Sequence, residues 1–304
     1  YDESKIENKL RNLQRYSVWL DNLSCSVYYK NLLRKKNKII EKMDPIYFFK
    51  SIKNSTEIKN MKKSHMIDGV ALTKFLFWLK KNFKKKKITE ISAQKKLENF
   101  RKMNKTYKFP SFSTISGTGP NSAIIHYKAS VKSNRTLKKG DVYLVDSGGQ
   151  YSFGTTDVTR TISLDNNSKS IKEIYTRVLK GHIAVSNYKI KKNSKGSHID
   201  QNARKPLKKI GLDYPHGTGH GVGYFLNVHE GPQSFSKQNQ IDLKSGMIIS
   251  NEPGYYKEGY FGIRIENLIY IKKNKFEELT MAPIEKDLIK KNMLSKKEIL
   301  WLNK

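Results

Sequence analysis

Several acidic and imidazole side chains in the second half of this sequence sit at the ends of apolar runs, where a cluster can do chemistry. Asp146 ends Val142-Tyr143-Leu144-Val145 and is followed by Ser147-Gly148-Gly149. Asp157 comes eleven residues later, just before Val158-Thr159-Arg160-Thr161-Ile162. A strand ending in one Asp and a returning strand opening on the other bring both carboxylates to one end of a hairpin. Buried paired carboxylates repel unless a proton or cation lies between them. Taken alone, the plainer reading is two turn-forming Asp residues.

His216-Gly-Thr-Gly-His220-Gly-Val-Gly and His229-Glu230-Gly231-Pro232 follow. Three of the seven histidines therefore fall within fourteen residues. The glycines exclude a regular helix, so His216 and His220 are not a helical i,i+4 zinc pair. They do permit close backbone approach to a site. Further on, Glu252 ends the run Met247-Ile248-Ile249-Ser250-Asn251, and Glu266 lies between Ile265 and Asn267. A buried Glu without a partner is costly, so a cation or an Arg is expected beside it. Arg264, two residues away, is expected on the same strand face, either supporting a ligand or forming a plain ion pair. Together, two Asp, two Glu and one or more His suit two divalent ions of the Mn, Co or Zn type. Two such ions lower the pKa of a shared water and supply a nucleophile near neutral pH.

The elements that must position these residues can be read from periodicity. Ile6, Leu10 and Leu13 have helical spacing. Ser17–Leu20 reads as a strand, Asp21-Asn22 as a turn, and Ser26–Leu33 and Lys38–Met43 as short helices, with Asp44-Pro45 breaking the pattern. Residues 55–81 read as one long helix capped by Ser55 or Thr56, with a stripe of Ile58, Met61, His65, Met66, Val70, Leu72, Leu76 and Leu79. Residues 89–103 form a second helix capped by Thr89. Strands are expected at 112–116, 123–127, 142–147 and 158–164. Helices return at 170–184 and 199–210, and strands at 247–252 and 262–271. This order, repeated twice, predicts an α+β body of two similar halves.

The chain has 304 residues, of which 37% are hydrophobic, enough for a sizeable core. A lone cysteine, Cys25, excludes an intramolecular disulfide or a Cys-cluster zinc site. No apolar run reaches the length of a membrane span. The opening Tyr1-Asp2-Glu3-Ser4 has no apolar signal segment, and a cytoplasmic location is expected. The net charge is +32, from 59 Lys and Arg against 27 Asp and Glu. Such a charge suits a polyanion partner. Yet 50 of the cations are Lys and 24 residues are Asn, while Arg, the preferred phosphate and base reader, numbers only 9. The excess is also spread, +18 over residues 1–110 and +14 over 111–304. It reads as a Lys-rich solvated surface from A-rich codon usage, with no specific nucleic-acid or membrane partner.

The strings DSGGQYSFGTTDVTRTI (146–162), HGTGHGVGYFLNVHEGP (216–232), NEPGYY (251–256) and GIRIENL (262–268) closely resemble the Xaa-Pro aminopeptidases (aminopeptidase P). This is a metallopeptidase group that shares the pita-bread fold with methionine aminopeptidase and prolidase. The resemblance runs from about Lys53 to Asn303 and more weakly over 17–50. It implies a pita-bread (creatinase/aminopeptidase-like) fold with two pseudo-symmetric halves over 51–304. Residues 1–50 are then the tail of a truncated α/β domain, the remnant of a preceding non-catalytic domain, and the extreme C-terminus of the catalytic domain is expected to be lacking.

The resemblance also implies that Asp146, Asp157, His220, Glu252 and Glu266 hold a dinuclear centre, usually manganese in this family, with cobalt or zinc compatible. His126 matches the family's substrate-side histidine, and His216 and His229 its further active-site histidines. His65, His182 and His198 match no motif and are expected to be structural or surface residues. The implied reaction is attack of a metal-bridging hydroxide on the N-terminal Xaa-Pro bond of peptides with proline second, with Glu252 as proton acceptor. A homodimer is implied for the full-length protein. Prolidase, which cuts dipeptides only, uses the same ligand set and is the alternative. A non-catalytic pita-bread binding module would fit the charge, but it would not need five competent ligands.

Overall fold

The computed structural model describes residues 2–303 and contains two compact units, one within residues 1–50 and one within 51–304. In the first, helix α1 (Ile6–Asn12) precedes strand β1 (Ser17–Leu20), helix α2 (Val27–Leu33) and strand β2 (Lys38–Glu41). The two strands pair in parallel, Ser17 opposite Lys38 and Leu20 opposite Glu41. Lys38–Glu41 is thus a strand, not the helix that local spacing suggests, because Ile39 and Ile40 find a partner strand across a helical crossover. Asp44-Pro45 does not end structure either. It opens α3 (Pro45–Ser51), with Asp44 Oδ1 accepting from Ile46 N at 2.8 Å, and proline tolerates the first helical position because that N–H has no helical acceptor.

The second unit begins with the long helix α4 (Ser55–Asn82) and α5 (Glu90–Lys102). Asn54, not Ser55 or Thr56, caps α4: its side chain accepts from Glu57 N while Glu57 reaches back to Asn54 N. The buried face of α4 runs through Met61, His65, Asp68, Leu72, Phe75 and Leu79. Met66 and Val70, expected in the core, are exposed, while Ser64, Asp68 and Gly69 are buried on the inward face beside the expected His65. Thr89 caps α5 as expected.

Strands β3 (Tyr107–Pro110) and β4 (Ile115–Thr118) come next. Residues 123–127 are not a strand. Gly119–Ala123 is a 3-10 turn, and His126 follows it in a loop. Strand β5 (Val142–Ser147) leads through β6 (Gly149–Tyr151) and β7 (Gly154–Thr155) to β8 (Val158–Ser163). Strands β4, β5 and β8 form an antiparallel sheet with β5 central. Leu72, Phe75 and Leu79 of α4 and Leu97 of α5 pack on Tyr143, Val145, Val158 and Ile162 of that sheet.

The pattern then repeats. Helices α6 (Lys169–Ser186) and α7 (Gly196–Lys208) precede the short strands β9 (Gly219–His220) and β10 (Ser234–Phe235). Strands β11 (Ile248–Asn251), β12 (Gly254–Lys257), β13 (Phe261–Arg264), β14 (Asn267–Lys272) and β15 (Lys275–Glu278) follow, and α8 (Lys296–Leu302) comes last. Strands β11, β14 and β15 form the second antiparallel sheet and β12 pairs with β13. The strand expected over 262–271 is therefore interrupted at Ile265-Glu266. Each half supplies a helix pair followed by a three-stranded antiparallel sheet, the two-halved α+β body expected. Among the described residues no helix is long and apolar enough to cross a membrane.

Candidate metal centre

The β5–β8 pairing places Asp146 opposite Thr159, with Asp157 one residue before β8. The hairpin thus brings the two carboxylates together, as the spacing suggests. A side chain at Gly148 would lie 1.9 Å from Thr156 O, so the chain can close this tightly only through glycine. The second half does the same at Gly219, where a Cβ would sit 1.8 Å from Ser250 O. That contact lays His220 against the end of β11, where Glu252 begins. Glu266 lies in the break between β13 and β14, held by Glu266 N to Thr159 O at 3.1 Å.

These groups meet. His220 Nε2 is 3.4 Å from Asp157 Oδ2 and 3.5 Å from Glu252 Oε1. Ligand atoms of Asp157, His220 and Glu266 all lie within 4.8 Å of one another. His220 Nδ1 is 3.0 Å from Gly221 O. A carbonyl only accepts, so Nδ1 carries a proton and Nε2 is turned to the carboxylates, the nitrogen that the neutral ring would offer to a cation. Glu252 accepts from Ser250 Oγ at 2.9 Å, Glu266 from Thr159 Oγ1 at 2.7 Å, and Asp146 Oδ2 from Arg264 Nη2 at 2.7 Å. Arg264 therefore pairs with Asp146, not with its near neighbour Glu266, because the strand break turns Glu266 out of register.

The charge balance of this cluster favours cations. Burial and the neighbouring carboxylates push Asp157 up to about 6 despite its bond to His220. Burial, with Asp157, Glu252 and Asp146 adding to it, holds Glu266 well above the usual carboxylate range. Burial also raises Asp146, outweighing Arg264. His220 also moves up: burial opposes its charge, but Asp157 and Glu252 lift it to about 9. Four carboxylates thus share one guanidinium and whatever protons they can hold. Asp146 Oδ1 is buried with no hydrogen-bond partner among the described residues. Hard oxygen donors with one oriented imidazole, short of positive charge, fit divalent cations of the Mn, Co or Zn kind.

His126, His216 and His229 line the same cavity of about 770 Å³, together with Asp146, Asp157, His220, Glu252 and Glu266. His126 and His229 are exposed on its wall, and the His229 ring centroid is 4.0 Å from that of His220. His216 is half-buried, its Nε2 2.8 Å from Tyr256 Oη. All eight singled-out side chains are therefore together. His65 and His182 are buried in α4 and α6, His198 is exposed on α7, and none of the three lines the cavity. A larger groove of about 980 Å³ along the start of α4 has no acid or histidine in its lining.

Sequence reasoning missed the supports. Tyr256 Oη joins His216 to Arg264, whose Nη1 donates to it at 2.6 Å. Thr159 and Ser250 each bond one of the clustered carboxylates. The signal was present in the register of β12 on β13, which sets Gly254 opposite Arg264 and Tyr256 opposite Gly262, but pairing cannot be read from one strand alone.

Residues 59–273 match metallopeptidase family M24, and residues 273–304 match the C-terminal region of peptidase M24. Xaa-Pro aminopeptidase 1 of Dictyostelium discoideum is 44% identical over 319 residues, covering 99% of this chain and 50% of the relative. Aminopeptidase P2 of Arabidopsis thaliana is 46% identical over 274 residues, covering 85% of this chain and 39% of the relative. The chain thus spans about half the length of the curated relatives it matches. The crystal structure of X-prolyl aminopeptidase from Caenorhabditis elegans, described as a cytosolic enzyme with a di-nuclear active site, aligns at a TM-score of 0.92 and 34% identity, over 100% of this chain and 52% of that one. Xaa-Pro dipeptidase from Bacillus anthracis aligns at 0.78 and 27% identity, over 92% and 77%. The pita-bread architecture expected from the motifs is what these likenesses share. All five clustered donors fall inside the matched segment, and on that match the chain belongs to metallopeptidase family M24.

Proposed function

We propose that this chain carries the centre of a dinuclear-metal aminopeptidase that removes the first residue from peptides with proline second. The observation that carries the reading is the meeting of Asp146, Asp157, His220, Glu252 and Glu266 on one cavity wall, with three further histidines beside them. The five would hold two divalent ions, manganese being the first candidate, and bound there the ions supply Lewis acidity that activates water and polarises a carbonyl.

The chain's own groups have the following roles. Glu252, half-buried and bonded to Ser250, accepts the proton of the attacking water. His229 and His126 hold the carbonyl oxygen of the scissile bond and return a proton to the proline nitrogen. His216, fixed by Tyr256, shapes the same wall. Asp146 binds the free α-amine, so only N-terminal residues are cut. Proline is a tertiary amide with no N–H, and a cavity that asks for no donor at that nitrogen admits it.

Residues 51–304 carry the chemistry in this reading, and 1–50 belong to a separate non-catalytic unit; the support is that every proposed ligand lies in the former. A homodimer is part of the reading through the family resemblance alone, and a cytoplasmic location through the worm relative's description as cytosolic. Prolidase activity is the second reading, favoured by the likeness to a dipeptidase at a TM-score of 0.78. Release of the first residue from Arg-Pro-Pro, absent after chelation and restored by Mn²⁺, tests the main reading. Cleavage of Xaa-Pro dipeptides alone supports the second. Full turnover by Glu252→Gln or His220→Ala in metal-replete buffer would sink both.

A further inference from the structure

Six non-glycine residues among those described have positive φ, and five of them are Arg, Asp, Asn or Lys; the sixth is Leu226, at 73°. An aliphatic side chain rarely takes this conformation. Leu226 is held there by a buried clamp. Gln150 Nε2 donates to Leu226 O at 2.7 Å, and Gln150 Oε1 accepts from Leu226 N at 3.4 Å. Thr155 Oγ1 fixes that Gln150 oxygen at 2.6 Å. The turn is also closed by Gly223 N to Asn227 O at 2.9 Å. This arrangement buries nothing of Leu226 in the core: the residue is 57% exposed and lines the cavity that holds the metal centre. Strain that persists without packing to reward it marks a position kept for contact.

The direction of the substrate says what it touches. Asp157 and Glu266 are 3% and 2% exposed, on the cavity floor. A peptide whose amine is held by Asp146, 8% exposed beside them, puts its first residue deepest and its scissile bond further out, towards the exposed His126 and His229. The third residue is the next outward, and Leu226 is among the exposed residues that line this cavity away from its buried floor. We infer that Leu226 is a specificity-determining residue that contacts the side chain of the peptide's third residue and favours an apolar one. Gln150 is its positioning residue. This inference rests on the aminopeptidase reading above.

The test compares the Mn²⁺-loaded full chain with Leu226→Asn and Leu226→Met on Ala-Pro-Leu and Ala-Pro-Ser. Asn accepts positive φ readily, so the variant should keep the loop and melt no lower than the parent. The parent should favour Ala-Pro-Leu by roughly three- to tenfold in kcat/KM, a fraction of what an enclosed methylene pocket achieves. Leu226→Asn should bring that ratio to about one through a lower kcat/KM on Ala-Pro-Leu, and Leu226→Met should preserve it. An unchanged ratio in Leu226→Asn overturns the inference while leaving the aminopeptidase reading intact. So does a change seen instead between Leu-Pro-Ala and Ser-Pro-Ala, which would put Leu226 against the first residue. A parent that cleaves none of these peptides overturns both.

Discussion

Arg264 Nη2 lies 2.7 Å from Asp146 Oδ2, while the other oxygen of that carboxylate, also buried, has no hydrogen-bond partner among the described residues. One oxygen of Asp146 is thus committed to a fixed cation, and the other is left for something else. Arg264 is held from three sides, since Nη1 donates to Tyr256 Oη at 2.6 Å and Nε to Thr159 Oγ1 at 3.2 Å. Among the described residues the guanidinium is the one arginine or lysine charge paired with the cluster, and its rigidity fixes where Asp146 points.

Removing that charge should make the site lean on metal. In metal-free protein, Arg264→Met leaves Asp146 buried with no partner, a change that costs about 3–5 kcal/mol in comparable pairs. The expected outcome is a clear drop in the metal-free Tm, with a larger rise on adding Mn²⁺ than the parent shows. Differential scanning fluorimetry with and without chelator reads both. Equal metal-induced rises in parent and variant would refute this view of the cluster.

The opposite change belongs to Glu266. Its carboxyl is 2% exposed and sits among Asp157, Glu252 and Asp146. Glu266→Gln keeps the shape and removes a carboxyl whose ionisation is opposed by burial and three neighbouring carboxylates, so metal-free protein should melt at or above the parent. The same variant should lose most of the metal-dependent gain, which for a ligand at about a hundred times its Kd is about 2.7 kcal/mol. Stability and metal response therefore move in opposite directions, which general damage to the fold would not produce.

A buried ion pair far from the chemistry supports the first half. Arg101 Nε donates to Asp68 Oδ1 at 2.7 Å and Nη2 to Asp68 Oδ2 at 3.1 Å, and Tyr151 Oη adds a bond to Asp68 Oδ1 at 2.7 Å. Both charged groups are buried. Arg101→Met should cost about 3–5 kcal/mol because it strands Asp68. The double variant Asp68→Leu with Arg101→Met should cost much less than the two single changes summed. Urea denaturation of the three variants measures the coupling, and strict additivity would contradict it.

What could be read from the sequence, and what could not, divides along the range of the forces involved. The four clustered carboxylates were legible because each ends, opens or interrupts an apolar run, a local signal, whereas His220 lies in a glycine-rich stretch and was singled out as a ligand only by the family resemblance. His126 lines the cavity from a loop and not from the strand expected over 123–127. Ile124-Ile125 look like strand residues, yet Glu90, buried in α5, accepts from Thr118 N, Asn121 Nδ2, Tyr127 Oη and Arg135 N and folds residues 118–135 into a loop. Nothing near His126 in sequence announces that acid. Lys38–Glu41 became a strand for the same kind of reason, since its partner lies at Ser17–Leu20. The inward face of α4 was misjudged because Ser64 and Asp68 lie on it beside the expected His65, and apolar periodicity is blind to polar residues that bury as partners.

His182 gives the last expectation, one of pH. Its side chain is fully buried in α6, with Nδ1 3.0 Å from Asn251 O and its ring edge-on to Trp301 at 5.6 Å. Burial, with the Arg160 charge adding to it, brings its pKa down to about 3 from an ordinary 6.5. Between those two values the unfolded chain binds a proton that the folded chain refuses, so stability rises with pH across that window. The contribution of His182 is then complete above pH 6.5 and is lost progressively as the pH falls towards 3. His65, buried in α4 and shifted downward by burial, acts in the same direction. The parent should therefore lose Tm steadily from about pH 6.5 to 4.5, and His182→Leu should show a shallower slope over the same range even if its Tm at pH 7.5 is lower. A variant slope equal to that of the parent would mean that His182 already exchanges its proton in the folded state.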